Sequence, residues 1–158
     1  MLRREQVIGI VSSWDIRWRD SEGYSLLVTD SRLVGGTMPA TAEDFRAFFA
    51  PGKGRDAGLG QEADKKAAEI LLLKDFEIYR DKVLKIVYEA PSMLLGGRLL
   101  LATTGKRFQV DITVVSGWNP GILSTLNHLI STFLVFAPEA FYDERTGARM
   151  RDEVALRS

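Results

Sequence analysis

The N-terminal region alternates apolar and polar side chains, a period typical of a β-strand with one buried face. Residues 7–19 form the first such strand, and a polar turn at residues 20–23 leads into a second strand at residues 24–34, which ends at Gly35 and Gly36. We expect this hairpin to supply one wall of the core and its two tryptophans to be buried there. The apolar positions of the first strand are Ile8, Ile10, Trp14, Ile16 and Trp18.

The middle of the chain has a helical pattern instead. A capping arrangement predicts a short helix at residues 42–50 that Pro51 stops. Residues 51–60 contain four glycines and a proline, which is typical of a loop. A longer amphipathic helix is predicted at residues 61–73. Residues 40–74 are therefore interpreted as a helical insertion.

The alternating pattern returns in the second half of the chain. A strand is predicted at residues 83–88, and residues 98–103 and 106–115 are predicted to form a hairpin. A final helix begins at Pro120 and ends before Pro138. Its apolar stripe consists of Ile122, Leu126, Leu129, Phe133 and Phe136.

This order of elements predicts the fold class and the domain organisation. Strands without a regular helix between each pair favour an antiparallel sheet, and a terminal helix then packs over it. We predict an α+β fold with a single domain at residues 1–138, which includes the helical insertion. Residues 139–158 alternate charges with few apolar positions, so we expect an exposed C-terminal tail or a short helix.

Composition narrows the classes of partner. The 21 basic and 21 acidic residues cancel, which disfavours a nucleic-acid partner. The chain has no cysteine, which fits a cytoplasmic location and excludes thiolate chemistry. No apolar run reaches the length of about 20 residues that a membrane-spanning helix needs, so we expect no membrane span.

Three stretches carry a resemblance to a known family. They are residues 24–34 (YSLLVTDSRLV), residues 78–86 (IYRDKVLKI) and residues 97–110 (GRLLLATTGKRFQV). In this order they resemble the bacterial and archaeal pleckstrin-homology-like (GRAM-like) domains, from which the helical insertion is a departure. The resemblance implies a split barrel of two antiparallel sheets capped by the C-terminal helix. It also implies binding rather than chemistry, with a lipid headgroup, a peptide or a protein as the ligand.

Basic residues around the first hairpin bind phosphate in lipid-binding members of that family. The matching candidates here are Arg17, Arg19 and Arg32. Converging guanidinium groups could hold a phosphate of a lipid headgroup. Acidic neighbours favour the alternative, in which the arginines form local charge pairs. Those neighbours are Asp15, Asp20, Glu22 and Asp30.

Excess apolar residues suggest a second candidate surface. Phe45, Phe48 and Phe49 lie close together before the glycine-rich loop, and the final helix carries more apolar residues than one stripe requires. These side chains either form a surface for self-association or a protein partner, or they bury the final helix on two sides. The sequence leaves both alternatives open.

No motif indicates a catalytic, cofactor or metal site. Residues 51–60 match no phosphate-binding glycine motif, and His128 is the sole histidine, predicted to be solvated. We therefore expect a non-enzymatic binding or assembly module that needs no cofactor and forms a homodimer. The alternative is a small ligand carrier or an enzyme with its site under residues 51–60. A pocket lined by converging polar groups favours the alternative, and a convex apolar patch favours the module.

Overall fold

A computed structural model describes residues 5–18, 20–49, 57–89, 97–103, 106–112 and 120–143. These segments contain nine strands and two α-helices, and the α+β class is confirmed. In chain order the elements are β1 (Val7–Trp18), β2 (Ser21–Thr29), β3 (Arg32–Thr37), β4 (Phe45–Phe48), α1 (Ala57–Leu72), β5 (Lys74–Tyr79), β6 (Val83–Glu89), β7 (Gly97–Thr103), β8 (Lys106–Ile112), α2 (Pro120–Phe136) and β9 (Phe141–Asp143).

The strands form two sheets. The first sheet has five strands in the order β4-β1-β2-β3-β5, and all its pairs are antiparallel. The second sheet has four strands in the order β8-β7-β6-β9, in which only the short β9 runs parallel to its neighbour. The hairpin predicted near the end of the chain is confirmed as β7–β8. A hairpin also forms at the start of the chain as β1–β2, but the single second strand predicted at residues 24–34 is wrong. These residues are divided at Asp30 and Ser31 between β2 and β3, and Gly35 and Gly36 lie within β3 instead of ending a strand.

The predicted helix at residues 42–50 is wrong, because residues 45–48 form β4. This strand pairs with β1 along the edge of the first sheet, with Ser12 opposite Phe45 and Gly9 opposite Phe48. Ala47 and Phe49 pack toward α1, whereas Arg46 contacts Thr125 on α2. The alternate faces of residues 45–49 thus meet different layers, and pairing with β1 overrides a weak local helix signal.

The predicted helix at residues 61–73 is confirmed as α1, although it begins at Ala57, inside the segment expected to be a loop. Residues 51–56 of that segment lie outside the described residues. The final helix is confirmed as α2. Within the described part of the chain, neither helix is long and apolar enough to cross a membrane.

Two apolar clusters lie on opposite faces of the first sheet. The larger cluster joins the first sheet, the second sheet and α2, and it includes Trp18, Phe76, Ile86 and Phe133. The smaller cluster joins the first sheet to α1 through Ile10, Leu27, Val34, Ala63, Ala67 and Ile70. The first sheet is therefore covered on both faces, by α1 on one side and by α2 with the second sheet on the other.

The segment after α2 is part of this core. Phe141 on β9 is fully buried in the larger cluster, and Phe141 lies opposite Ile86 on β6. The exposed tail that we expected from residue 139 therefore does not begin there, because the side chain of Phe141 is buried and β9 pairs with β6. Residues 144–158 lie outside the described residues.

Helix α2 approaches β1 closely at Gly9. A Cβ atom added to Gly9 would lie 2.6 Å from Thr132 Oγ1, which is closer than nonbonded atoms pack. Thr132 is itself buried and donates a hydrogen bond to the carbonyl oxygen of His128 at 2.7 Å. The absence of a side chain at residue 9 is what allows this helix to lie so near the strand.

Candidate functional site

The predicted arginine site is not assembled in the described part of the structure. Arg17 forms an ion pair with Glu22 across the β1–β2 hairpin, at 2.6 Å. Arg32 lies beside Thr29, at the other end of β2, about 20 Å away at the rise of an extended strand. Arg19 lies outside the described residues. Arg17 and Arg32 each pair with carboxylates, and their guanidinium groups do not converge on one site.

Arg32 forms the most extensive of these pairs. Its guanidinium lies between Glu5 and Glu77, with Nη2 3.0 Å from Glu5 Oε1 and Nη1 2.8 Å from Glu77 Oε1. Lys74 also contacts Glu77, at 3.0 Å. The hydrogen bond from Arg32 lowers the pKa of Glu77 to about 2. Burial acts to raise the pKa of Glu5, but hydrogen bonds from Arg32 and Thr29 outweigh it and leave that pKa lowered.

The three phenylalanines do not form one exposed surface. Phe49 is 6% exposed and belongs to the cluster under α1. Phe45 is half-buried against the same cluster, and the Lys66 ammonium lies 5.7 Å from its ring centroid. Phe48, 38% exposed, follows on the opposite face of β4. The structure thus divides these residues between the two sides of the sheet.

The two tryptophans of β1 differ in burial. Trp18 is buried and stacks on Phe76 with 4.3 Å between ring centroids. Trp14 is 41% exposed, so its predicted burial is wrong. The pairing of β1 with β2 shifts register between Ser13 and Arg17, which breaks the alternation on which that prediction depended.

Trp14 packs instead over Gly23 and against the loop that follows β3. Its Nε1 donates a hydrogen bond to the carbonyl oxygen of Ala42 at 3.3 Å. Gly23 has a φ of 82°, and a Cβ there would lie 2.3 Å from the indole. Both the backbone conformation and the space for the ring therefore require glycine at this position. The indole thus connects β1 to the loop after β3 at Ala42.

A row of small side chains crosses the first sheet next to this loop. Ser12 on β1 lies opposite Ser25 on β2, which in turn lies opposite Gly36 on β3. The parallel row through Ile10, Leu27 and Val34 is large and apolar, and α1 packs against it. Large side chains fill the space under α1 at the Ile10 row. The small residues of the Ser12 row leave the corresponding space open under the second half of α1.

This space is a pocket of about 160 Å³ between α1 and the first sheet. The sheet supplies the floor, and one wall is formed by Thr37 at the end of β3 and by Pro39 and Ala42 of the loop that follows. Helix α1 supplies the opposite wall through Lys66, Glu69 and Ile70, which lie along one face, together with Leu73 just after the helix. The pocket thus combines an apolar lining with a few polar groups.

The polar floor is formed by two hydroxyl groups. Ser12 Oγ and Ser25 Oγ lie 2.6 Å apart and share one hydrogen bond, in which either hydroxyl can donate. Whichever hydroxyl accepts that bond still has its own proton to donate, and both oxygens keep lone pairs. Ser12 is buried and Ser25 is half-buried, so the pair faces a partly desolvated space. Neither serine is predictable as a site residue from the sequence, because their proximity depends on strand register.

A second polar cluster joins β1, β4 and α2. Ser13 Oγ lies 3.4 Å from Asp44 Oδ2, and Arg46 Nε donates to Thr125 Oγ1 at 3.1 Å. His128 is half-buried beside this cluster; burial, and secondarily the charge of Arg46, lower its pKa. The predicted solvated histidine is thus partly enclosed. Each group in this cluster contacts another protein group, so we interpret the cluster as a structural connection between α2 and the first sheet.

The described side chains contain no group of three or more histidines or carboxylates that could hold a metal ion. Comparison with known proteins adds no assignment, since no family model, curated protein or solved structure matches the chain significantly. The geometry of the pocket is therefore the main guide to function.

Proposed function

We propose that the chain is a small-ligand carrier on a pleckstrin-homology-like scaffold, the alternative that a pocket with polar groups favours, and that it binds a small molecule in the pocket under α1. Support for the scaffold comes from the order of the strands. β1, β2, β3 and β5 are successive neighbours in the first sheet, β6, β7 and β8 in the second, and α2 follows them. Two mainly antiparallel sheets followed by a helix are compatible with the scaffold that the sequence resemblance implies, and β4 and β9 are the strands added at the sheet edges.

The observation that carries the ligand-binding function is the row of Ser12, Ser25 and Gly36 under α1. A concave space of about 160 Å³ between a helix and a sheet is the kind of feature in which proteins bind small molecules. Paired hydroxyls at its floor and charged groups at its rim fit a polar ligand better than a packing defect.

The arrangement of the arginines and phenylalanines singled out from the sequence also favours the pocket as the binding site. Arg17 and Arg32 are already paired with carboxylates, which weakens the case for a lipid headgroup. Phe45 and Phe49 are largely covered, which weakens the case for self-association through the phenylalanines. The homodimer and the cytoplasmic location stay predictions from the sequence.

The proposal is tested by filling the pocket. Ser25→Leu places an aliphatic side chain over the floor, whereas Ser21→Leu makes the same change at an exposed position of the same strand. A library of small polar fragments is screened by amide chemical shifts on the wild type and on both variants. We expect fragments to shift Ser12, Ser25 and Lys66 in the wild type and Ser21→Leu, and not in Ser25→Leu.

Two controls make the result decisive. Circular dichroism and the thermal midpoint establish whether Ser25→Leu is folded. If that variant does not fold, Thr37→Leu fills the pocket from the end of β3 instead. Fragments that shift no pocket amide in the wild type, or that bind the filled variants equally well, would reject the pocket as the functional site.

A further inference from the structure

Two opposite charges line the pocket from the same helix. Lys66 and Glu69 lie three positions apart on α1, so their Cβ atoms are about 5–6 Å apart on one face. Among the ion pairs of the described residues, none joins these two side chains. The rim of the pocket therefore presents a cation and an anion that do not neutralise each other directly.

The ammonium group of Lys66 is positioned by an aromatic ring. It lies 5.7 Å from the ring centroid of Phe45, within the range of a cation–π contact. Phe45 is the strand neighbour of Ser12, so this contact keeps the ammonium near the hydroxyl floor. Half-burial of Lys66 further limits how far its charge is screened by water.

The charge pattern discriminates among ligands. An anion would pair with Lys66 and be repelled by Glu69, and a cation would do the reverse. A ligand that carries both charges a few ångströms apart gives an opposite charge to the half-buried Lys66 and to the exposed Glu69 at the same time. The rim thus favours a zwitterion over a singly charged molecule of the same shape.

Size and lining define the rest of the ligand. A cavity of about 150 Å³ accommodates benzene, so a pocket of about 160 Å³ suits a body of roughly six to ten non-hydrogen atoms. Pro39, Ala42, Ile70 and Leu73 offer aliphatic contacts, and the serine pair offers hydrogen bonds to a carboxylate or an amine. We propose that this pocket binds a small aliphatic zwitterion of the free α-amino acid class. The inference rests on the proposed function.

Three probes of one shape test the charge requirement. L-Leucine carries both charges, L-leucinamide carries only the cation, and 4-methylpentanoate carries only the anion. Amide chemical shifts of the full chain give the dissociation constant for each. We expect leucine to bind about tenfold more tightly than either analogue, as one charge-assisted hydrogen bond more would give.

Variants then assign each charge to its side chain. Lys66→Gln should remove the preference for leucine over leucinamide, and Glu69→Gln should remove the preference for leucine over 4-methylpentanoate. Each should weaken leucine binding about fivefold or more, since a charge-assisted contact is lost. Lys65→Gln and Glu62→Gln, at exposed positions of the same helix, serve as matched controls and should leave all three constants unchanged.

The outcomes separate this inference from the proposed function. Equal binding of the three probes, or leucine binding that ignores both variants, overturns the zwitterion while the fragment screen still supports a binding pocket. If leucine shifts no pocket amide but other fragments do, the ligand class alone is wrong. If neither leucine nor any fragment shifts a pocket amide, both proposals fail.

Discussion

Arg32 links three segments that are far apart in the sequence. Glu5 precedes β1, Arg32 begins β3, and Glu77 lies on β5. All three side chains are mostly buried, in contrast to the exposed pair of Arg17 and Glu22. Removing one member of a mostly buried pair leaves the other charge poorly compensated, and so costs more than breaking an exposed pair.

This network gives stability a defined dependence on pH. The pKa of Glu77 falls from 4.5 to about 2 on folding, because Arg32 stabilises the carboxylate. A group whose pKa is lowered on folding stabilises the protein above its unfolded pKa. That contribution is lost as the pH falls from about 5 toward 2. We expect Glu77→Gln to lower the unfolding free energy by about 1–2 kcal/mol at pH 7. We also expect the unfolding free energy of this variant, measured by urea titration, to decrease less steeply than that of the wild type as the pH falls.

The control is Glu22→Gln, whose side chain is 60% exposed and pairs with Arg17. It should change the unfolding free energy by under about 0.5 kcal/mol and leave the pH profile unaltered. If Glu77→Gln and the wild type lose stability in parallel between pH 5 and pH 2.5, the lowered pKa of Glu77 is not what stabilises the fold.

The elements show where sequence patterns succeed and where they fail. The period of α2 and the alternation of β7 and β8 are local signals, and both predict the structure correctly. The strand β4 has a local pattern that suits a helix, and only its pairing with β1 decides its conformation. Non-local pairing is not encoded in a window of adjacent residues.

The candidate site depends on the same non-local information. Ser12 and Ser25 are unremarkable polar residues in two apolar strands until the register places them side by side. Lys66 and Glu69 are predictable as members of one helix face, but their position over the small-residue row is a tertiary property. The sequence thus predicts the helix that covers the pocket and not the pocket itself.

The contact between α2 and β1 provides a test at the scale of elements. Gly9→Ala introduces an atom 2.6 Å from Thr132 Oγ1, so we expect a loss of about 1–3 kcal/mol from overpacking. Thr132→Ala removes the crowded atoms and also its hydrogen bond to the His128 carbonyl. The double variant should be more stable than the sum of the two losses predicts, by about 1 kcal/mol in chemical denaturation.

A matched double variant, Gly9→Ala with Ser131→Ala, controls for helix propensity, because Ser131 is an exposed neighbour on α2. The losses of unfolding free energy from Gly9→Ala and Ser131→Ala should be additive in this variant. If the Gly9 and Thr132 losses are also additive to within about 0.5 kcal/mol, α2 does not lie as close to β1 as the structure has it.

At the scale of the whole molecule, one apolar cluster connects nearly every layer. It includes Trp18 and Phe76 from the first sheet, Ile86 and Leu101 from the second, and several residues of α2. No layer except α1 could lose its packing without exposing part of this cluster. Continuity of this kind favours a single cooperative unfolding transition for these layers.

Phe141 is the residue through which this cooperativity is best tested, because it is buried on the last described strand and far in sequence from the first sheet. Phe141→Ala should cost about 3–4 kcal/mol, from lost burial and the cavity left behind. In a Trp118→Phe background, where tryptophan fluorescence reports only on Trp14 and Trp18 of β1, the fluorescence and far-ultraviolet circular dichroism transitions should shift together to lower urea concentration. Leu84→Ala, at a position of β6 that is 64% exposed, should leave both transitions almost unchanged. A small loss in Phe141→Ala, or a loss seen by circular dichroism and not by fluorescence, would mean that the two sheets do not unfold as one body.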